Sequence, residues 1–291
     1  MRILVTGGAG FIGRHLAAAL RRSHTVTCCG HRELDLLATD QVATCLKDGR
    51  FDVVIHAATY DAAPKHSTKD PAKVLENNLR MFFNVARCRE DFGKLLYFGS
   101  GAEFGRTHWI PQMCEDYFDQ HVPSDQYGFS KYVMTGHAVQ PGSKVYNLRL
   151  FGVYGEDDDW RTRFISNACC RAVMGQPIIM NQNRVFDHLY IGDLARIVEW
   201  FVEHTPSRNV YNVCSGTTHD FQALAEMLVG ISGKTLGIEA RTPGLGMEYS
   251  GNNSRLLQEL GGFAFTPMRA GLAAVYQWHE AHREVIQPEQ L

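Results

Sequence analysis

Residues 1–20 read MRILVTGGAGFIGRHLAAAL, and the fold can be predicted from this stretch. An apolar run of strand length, Ile3 to Thr6, leads into the glycine-rich turn Gly7 to Gly13, and a helix-like stretch from Ile12 to Arg22 follows. Glycines at Gly7, Gly10 and Gly13 permit positive φ and leave the backbone bare enough to approach a pyrophosphate, whose charge a helix N-terminus stabilises. Strand, glycine turn and helix in this order predict a dinucleotide-binding site.

The rest of the first half alternates in the same way. We predict further strands at Thr25–Cys29, Val53–His56, Leu95–Phe98 and Lys144–Leu150, and helices at Asp40–Lys47, about Pro71–Glu90 and about Gln126–Gln140. Apolar strands separated by helices are typical of a parallel sheet covered on both faces, with ligands at the carboxyl ends of the strands. The predicted fold class is α/β, a Rossmann-type doubly wound parallel sheet.

This alternation stops after about Gly155. Shorter elements follow, with a charged patch at Glu156–Asp159, a break at Pro177 and a glycine-rich segment from Thr242 to Gly251. We predict that residues 1–155, completed by 185–213, form the NAD(P)-binding Rossmann domain, and that residues 156–184 and 214–291 form a smaller substrate-binding C-terminal lobe. The acidic patch is interpreted as a solvated loop or helix start, and no metal site is predicted.

Composition narrows the function class. The 291 residues include 29 basic and 31 acidic side chains, a formal net charge of −2, which offers no broad electrostatic footprint for nucleic acid or an anionic bilayer. No stretch approaches the roughly 18–20 apolar residues of a membrane span. The eight cysteines show no C-x-x-C pair, and the N-terminal residues do not resemble a signal peptide. We expect a cytoplasmic protein that acts on a small molecule, without nucleic-acid or membrane partners.

The end of the second predicted strand bears on the choice of cofactor. That strand ends at Cys28-Cys29 and runs into Gly30-His31-Arg32, so no carboxylate stands where an NAD-binding site would hold the ribose. Arg32, with His31, is suited to a 2′-phosphate, which favours NADP over NAD. The alternative is that Arg32 is a solvated loop residue and that Glu33 or Asp35 reaches the ribose. Asp35 is better placed to touch the adenine, and Leu36 is also predicted to bind the cofactor.

A second motif carries reaction chemistry. Tyr127 and Lys131 are four residues apart, hence on one face of the predicted helix, where the ammonium and the positive charge of a bound nicotinamide ring are expected to favour the phenolate. Ser100 follows the predicted strand Leu95–Phe98, at the carboxyl edge of the sheet where ligands bind. Its hydroxyl is suited to hold the oxygen whose proton Tyr127 transfers.

Several segments together resemble the extended short-chain dehydrogenase/reductases, and among these the NAD-dependent epimerase/dehydratase group that acts on nucleotide sugars. They are Thr6–Gly13, His56-Ala57-Ala58, Asn78, Phe98-Gly99-Ser100 with Phe104-Gly105, Tyr127–Lys131, Leu148-Arg149-Leu150, Tyr154-Gly155, His188–Leu194 and Tyr211-Asn212-Val213. The stretch Arg32–Asp40 is similar to GDP-fucose synthases and dTDP-4-dehydrorhamnose reductases.

The resemblance implies roles for individual residues. Tyr127 would be the general acid/base, Lys131 would bind the nicotinamide ribose and tune Tyr127, and Ser100 would position the sugar oxygen. Cofactor contacts are implied at Gly7, Gly10, Phe11, Ile12, Gly13, Ala57, Ala58 and Asn78. Relatives dimerise through two helices per subunit, here Pro71–Glu90 and Gln126–Gln140, so a homodimer is expected.

Some family positions are occupied differently. Gly101 and Ala102 stand where 4,6-dehydratases carry an Asp-Glu pair, and Glu103, one place later, is expected to continue the strand and point to the opposite face. The proton-carrying Cys and His of GDP-fucose synthases correspond to Ala102 and approximately Arg163, so double epimerisation is disfavoured.

Two substrate-side positions also depart from the family. Phe186 replaces a nucleotide-contacting arginine, and Gly152 replaces a common asparagine. Arg161, Arg163 and Arg184 are the candidates for binding a diphosphate instead.

The sequence therefore predicts an enzyme that uses NADP(H) or NAD(H) as a nucleotide-sugar reductase or epimerase, with Ser100, Tyr127 and Lys131 in hydride and proton transfer. Release of the cofactor after one transfer gives a reductase, and its retention gives an epimerase; no residue decides between them. The alternative function is a non-catalytic NAD(P)-binding, redox-sensing protein on the same scaffold.

Overall fold

The computed structural model describes residues 1–62 and 67–291. Its strands, in chain order, are β1 (Arg2–Thr6), β2 (Thr25–Cys29), β3 (Phe51–His56), β4 (Phe92–Ser100), β5 (Val145–Leu150), β6 (Gly152–Tyr154), β7 (Ile178–Asn183), β8 (Val185–Tyr190), β9 (Val210–Val213), β10 (Thr218–Asp220) and β11 (Ile238–Leu245). Its α-helices are α1 (Phe11–Leu20), α2 (Thr39–Gly49), α3 (Val74–Ala86), α4 (Gln126–Ala138), α5 (Phe164–Met174), α6 (Ile191–Glu203), α7 (Phe221–Ser232), α8 (Ser254–Leu260) and α9 (Met268–Ala281).

Six parallel strands form the main sheet, in the order β2-β1-β3-β4-β5-β9. The order reverses between β1 and β3, and a crevice for a ligand opens at such a reversal, outside the carboxyl ends of the strands. The glycine turn follows β1 directly. The predicted Rossmann-type α/β fold is confirmed.

Helices cover both faces of this sheet because its strands are apolar on both sides. Buried side chains of α1 and α6 pack on one face, and those of α2, α3 and α4 pack on the other. Within the described residues, none of the helices combines the length and apolar character needed to cross a bilayer.

The C-terminal part has a core of its own. Buried residues of α5, α7, α9 and β7 pack together, and β7 pairs with β11 in a two-stranded parallel sheet. In a further three-stranded sheet, β8 pairs in parallel with β6 and antiparallel with β10. Strand β9 returns to the main sheet, where it pairs with β5. The domain boundaries at 155, 185 and 213 stay a prediction.

Several element bounds differ from those expected. The predicted helix at Pro71–Glu90 begins as a 3₁₀ turn, Pro71–Lys73, capped by the Asp70 carboxylate, which accepts the N–H of Ala72 at 2.9 Å. The α-helix proper ends at Ala86, where exposed polar residues begin. Strand β4 extends through Ser100, which is therefore its last residue.

Candidate active site

The turn between β1 and α1 has the geometry of a phosphate cradle. Gly7 has a φ of +70°, and a Cβ there would lie 2.6 Å from the backbone nitrogen of Ala58. A Cβ at Gly13 would lie 2.3 Å from the carbonyl oxygen of Gly7, and one at Gly10 would lie 3.3 Å from the same atom. Gly10 caps α1 without a side-chain hydrogen bond, which leaves the first N–H groups of the helix available to an anion. The residues of this turn fit a dinucleotide.

Among the residues after β2, two carboxylates are bound to backbone N–H groups, whereas the Arg32 guanidinium is exposed. Glu33 accepts the Gly30 N–H at 2.8 Å, and Asp35 accepts the Leu37 N–H at 3.0 Å, with His31 Nδ1 3.6 Å away from Asp35 Oδ1. Arg32 is exposed, and among the described residues it forms no ion pair or hydrogen bond. Leu36 is buried. The guanidinium is thus the side chain at this strand end that remains available to a phosphate.

Beyond β3, Ala57 and Ala58 lie against the glycine turn and line the main cavity, together with Phe11 and Ile12. Asn78 is buried below this segment. Its Oδ1 accepts the N–H of Tyr60 at 2.8 Å, and its Nδ2 donates to the carbonyl oxygens of Tyr60 and Val74, each at 2.9 Å. The asparagine predicted to bind the cofactor therefore holds the chain that follows Ala58.

Strand β4 and helix α4 bring Ser100, Tyr127 and Lys131 to one wall of the cavity. Asp125 begins α4 by accepting the Gly128 N–H at 2.9 Å, which fixes the first helical turn around Tyr127. The Lys131 ammonium lies 5.7 Å from the centre of the Tyr127 ring and donates to the Phe98 carbonyl at 2.7 Å. The tyrosine and the lysine share one helix face, as their spacing predicts.

Burial controls the protonation of this wall. It raises the pKa of Tyr127, and the hydrogen bond with Ser100 is the largest opposing influence. Burial also lowers the pKa of Lys131 to about 8, against the attraction of the Glu103 carboxylate. Loss of hydration is thus the largest influence on the Tyr127 phenol in this structure, and the expectation that the ammonium and a bound nicotinamide together favour the phenolate stays a prediction. Tyr127 is a phenol at neutral pH, the form that donates a proton.

Glu103 does not continue strand β4, so the expectation that it points to the opposite face is wrong. Residues Gly101–Phe104 form a 3₁₀ turn closed by a capping box, in which Ser100 Oγ accepts the Ala102 N–H at 3.2 Å. Glu103 in return accepts the Ser100 N–H at 2.9 Å. Its side chain is fully buried and paired with Arg149 at 3.1 Å. The turn thus fixes Ser100 through both its backbone and its hydroxyl.

A cavity of about 1350 Å³ extends from this wall into the C-terminal part. All three predicted substrate arginines line it: Arg161, Arg163 and Arg184. Sequence reasoning missed three further arginines of its lining, Arg106, Arg171 and Arg241, because they belong to no motif. Arg161 also donates to Gln290 at 2.7 Å, and Arg106 lies 3.3 Å from Asp125. The lining is cationic overall, which suits a diphosphate.

Packing explains both glycines that depart from the family. A Cβ at Gly152 would lie 2.8 Å from the carbonyl oxygen of Asp187, on the neighbouring strand. At Gly101 it would lie 2.7 Å from the Tyr249 ring and hydroxyl. Phe186, which replaces an arginine, packs its ring 5.3 Å from the Tyr249 ring. Gly101 is thus required by the packing of Tyr249, and Gly152 by the close approach of the neighbouring strand.

Tyr249 is the main residue that the sequence did not reveal. Its hydroxyl lies 3.5 Å from Ser100 Oγ, its ring is 4.2 Å from that of Trp109, and its N–H and carbonyl bond to Val185 and Asp187. It comes from the glycine-rich segment, which carried no recognisable motif. Burial raises its pKa, so that it too remains a hydrogen-bond donor.

In the described part of the chain, His24, Glu199 and Glu203 form the one group of three or more possible metal ligands, with their ligand atoms within 4.8 Å of one another. None of the three belongs to the cavity lining.

A doubly wound sheet with a glycine phosphate turn and a Ser-Tyr-Lys wall defines a short-chain dehydrogenase/reductase type of site. Residues 3–214 match the NAD dependent epimerase/dehydratase family, and the chain belongs to that family. The predicted resemblance is confirmed at this level.

Curated relatives and solved structures agree with this membership. The chain is 28% identical to GDP-6-deoxy-D-mannose reductase of Pseudomonas aeruginosa over 79% of this chain and 80% of that protein. It is 26% identical to dTDP-4-dehydro-6-deoxy-D-allose reductase of a Streptomyces species over 97% of each. The fold matches a GDP-L-fucose synthetase from Naegleria fowleri bound to NADP, with a TM-score of 0.82, 19% identity, and coverage of 98% of this chain and 94% of that chain. Other structures of this fold contain NAD.

Proposed function

We propose that the protein reduces a keto group on the sugar of a nucleotide sugar, with NADPH as the preferred hydride donor. The observation that carries this proposal is the wall of Ser100, Tyr127 and Lys131 at the edge of a large cationic cavity. The two curated relatives named above are reductases of nucleotide sugars, which supports the substrate class.

The residues divide the chemistry as follows. A bound nicotinamide supplies the hydride that reaches the carbonyl carbon. Tyr127, held as a phenol by burial, transfers its proton to the carbonyl oxygen, so that the keto group becomes an alcohol. Ser100 holds that oxygen through its hydroxyl. Lys131, anchored on the Phe98 carbonyl, would hold the nicotinamide ribose with its remaining N–H groups. Arginines of the lining hold the diphosphate.

The reductase proposal is preferred over an epimerase because the two relatives named above, one of them aligned over 97% of this chain, are reductases of nucleotide sugars. Burial keeps the Tyr127 phenol protonated, which is the form that donates a proton to a keto oxygen. NADPH is preferred because Glu33 and Asp35 are bound to backbone N–H groups while Arg32 remains exposed.

The test has two steps. Any nucleotide retained by the purified protein is released with denaturant and identified, and NADPH oxidation is then followed with 4-keto derivatives of GDP-, dTDP- and UDP-sugars. We expect an alcohol product, oxidation of one NADPH per product, and loss of turnover in Tyr127→Phe with cofactor affinity nearly unchanged. Tightly retained NAD, with isomerisation and no net oxidation, would show an epimerase. Full activity of Tyr127→Phe would contradict the acid role.

A homodimer and a cytoplasmic location remain predictions. On α3, Val74, Phe82 and Val85 are buried within the subunit. Four further apolar residues of the helix are half-buried: Leu75, Leu79, Met81 and Phe83. Leu79, Met81 and Phe83 also pack against the core of their own subunit, so this surface is compatible with an interface and with burial inside a monomer. Light scattering at micromolar concentration tests the dimer, and a monomer would contradict it.

A further inference from the structure

Below the catalytic wall lies a buried carboxylate that connects three elements. Glu103 Oε1 accepts the N–H of Ser100 at 2.9 Å. Its Oε2 accepts the hydroxyl of Thr135, on α4, and the Arg149 guanidinium, on β5, at 3.1 Å. Both side chains of the Glu103–Arg149 pair have no exposed surface. One side chain thereby bonds to the strand end that carries Ser100, to the helix that carries Tyr127 and Lys131, and to the next strand of the sheet.

The helical spacing makes this contact specific. Tyr127, Lys131 and Thr135 recur every four residues, so they follow one stripe of α4 that faces β4. Asn147 completes the arrangement, because it donates to Thr135 Oγ1 at 2.7 Å and accepts the Gly99 N–H at 3.0 Å. A displacement of the Glu103 carboxylate would therefore move both Ser100 and the face of α4 that carries Tyr127.

A contribution to protein stability does not by itself explain the buried ion pair between Glu103 and Arg149. Removing two charges from water costs about as much as their attraction returns, and well-packed apolar side chains of similar volume commonly replace buried ion pairs without loss. Arg149 gains further contacts, donating to Asn212 at 3.0 Å and stacking 4.3 Å from the Phe104 ring. The carboxylate, however, directs its acceptors to Ser100 and α4.

We propose that Glu103 is a positioning residue of the active site, which fixes Ser100 relative to Tyr127 and Lys131 and whose negative charge acts on the Lys131 ammonium. The inference rests on the proposed function of this wall. The charge effect is supported by the electrostatics of the lysine: burial lowers the pKa of Lys131, and Glu103 is the opposing influence. Without the carboxylate, Lys131 would lose its proton at lower pH.

The test uses one variant that removes the charge of Glu103 and another that shortens its side chain. Glu103→Gln removes the charge, and Glu103→Asp keeps the charge but shortens the side chain. Glu115→Gln is the matched control, because Glu115 is also buried and paired with an arginine, Arg255, at 3.7 Å, but bonds to Asn212 rather than to Ser100. For each variant, kcat against pH, the Kd for NADPH against pH and thermal unfolding are measured. Glu103→Gln/Arg149→Met removes both charges and covers the case in which the single variant does not fold.

We expect the alkaline loss of kcat in Glu103→Gln to move to lower pH by about one unit, and the same shift in the double variant. In Glu103→Asp, kcat should be lower, but its alkaline loss should occur at the same pH as in wild type. Glu115→Gln should change thermal unfolding alone. Wild-type pH profiles and kcat in both Glu103→Gln and the double variant would overturn the inference. If wild type turns over no nucleotide sugar, the proposed function fails, and the pH dependence of NADPH binding decides the inference by itself. Wild type that binds neither cofactor would overturn both.

Discussion

The Tyr249 hydroxyl lies 3.5 Å from Ser100 Oγ, although the two residues are 149 positions apart in the chain. Tyr127 is the other phenol that bonds to this serine. Ser100 therefore stands between an acid carried by the Rossmann helix α4 and a phenol supplied by the C-terminal part. Burial raises the pKa of both phenols, so both are able to donate a hydrogen bond to the serine hydroxyl.

Removing this second phenol should weaken turnover without unfolding the protein. Tyr249→Phe keeps the ring that packs on Trp109 and deletes only the hydroxyl. Loss of one hydrogen bond of about 1 kcal/mol predicts a fall in kcat of about fivefold to tenfold, with NADPH affinity unchanged. Steady-state kinetics and cofactor titration check this expectation. Unchanged kcat would show that the Tyr249 hydroxyl has no part in turnover.

The phosphate turn gives a second prediction, which compares two glycines. In Gly13→Ala the new Cβ would lie 2.3 Å from the Gly7 carbonyl oxygen, so the turn must open and NADPH affinity should fall at least about tenfold. A Cβ added at Gly136, on α4, would meet nothing within 4 Å, and Gly136→Ala should raise the free energy of unfolding by up to about 1 kcal/mol. Fluorescence titration with NADPH and denaturant unfolding measure the two effects. Equal cofactor affinity in both variants would contradict the assigned role of the turn.

Arg32 should set the choice between the two cofactors. A charge-assisted hydrogen bond to the 2′-phosphate is worth about 1.5–3 kcal/mol, so Arg32→Ala should weaken NADPH at least about tenfold and leave NADH unaffected. Arg22→Ala removes another exposed arginine, after α1, and serves as the control. The Kd of each cofactor is measured by titration. Tighter binding of NADH than NADPH by wild type would refute the preference.

The buried carboxylate of Asp158, in the lining of the cavity, lowers the free energy of unfolding at neutral pH. Burial raises the pKa of its carboxyl to about 6, against the attraction of Arg163. An acid whose pKa is higher in the folded state binds more protons folded than unfolded between about pH 4 and 6, so its contribution to stability falls as pH rises through this window. Asp158→Asn should therefore stabilise the protein at pH 7 by at most about 3 kcal/mol, and hardly at pH 4. Urea unfolding at both pH values checks this, and an equal effect at the two would exclude the titration as the cause.

Local patterns predict much of the molecule. The strand and glycine turn at residues 3–13 and the spacing of Tyr127 and Lys131 depend on neighbours in sequence, because a turn needs glycine where φ is positive and a helix repeats every 3.6 residues. Helix ends are less predictable: α3 stops at Ala86, four residues before the predicted end, and residues 87–90 form turns.

Glu103 shows where a local pattern misleads. A strand continuation is the simplest expectation for this residue, because it follows an apolar strand by only a few positions. Ser100-Gly101-Ala102-Glu103 instead matches the Ser-x-x-Glu pattern of a capping box, which the structure forms. In the folded chain the buried Arg149 and Thr135 also lie beside the carboxylate. No local pattern carries the information that these partners meet.

The order of strands and helices, the phosphate turn and the shared helix face of Tyr127 and Lys131 can be predicted from the amino-acid sequence, because each depends on residues that are close together in the chain. The folded chain was needed to show that Tyr249, Arg171 and Arg241 face the same cavity, that Asn78 holds the chain after Ala58, and that burial keeps Tyr127 protonated. Contact between distant segments and loss of hydration are properties of the packed chain.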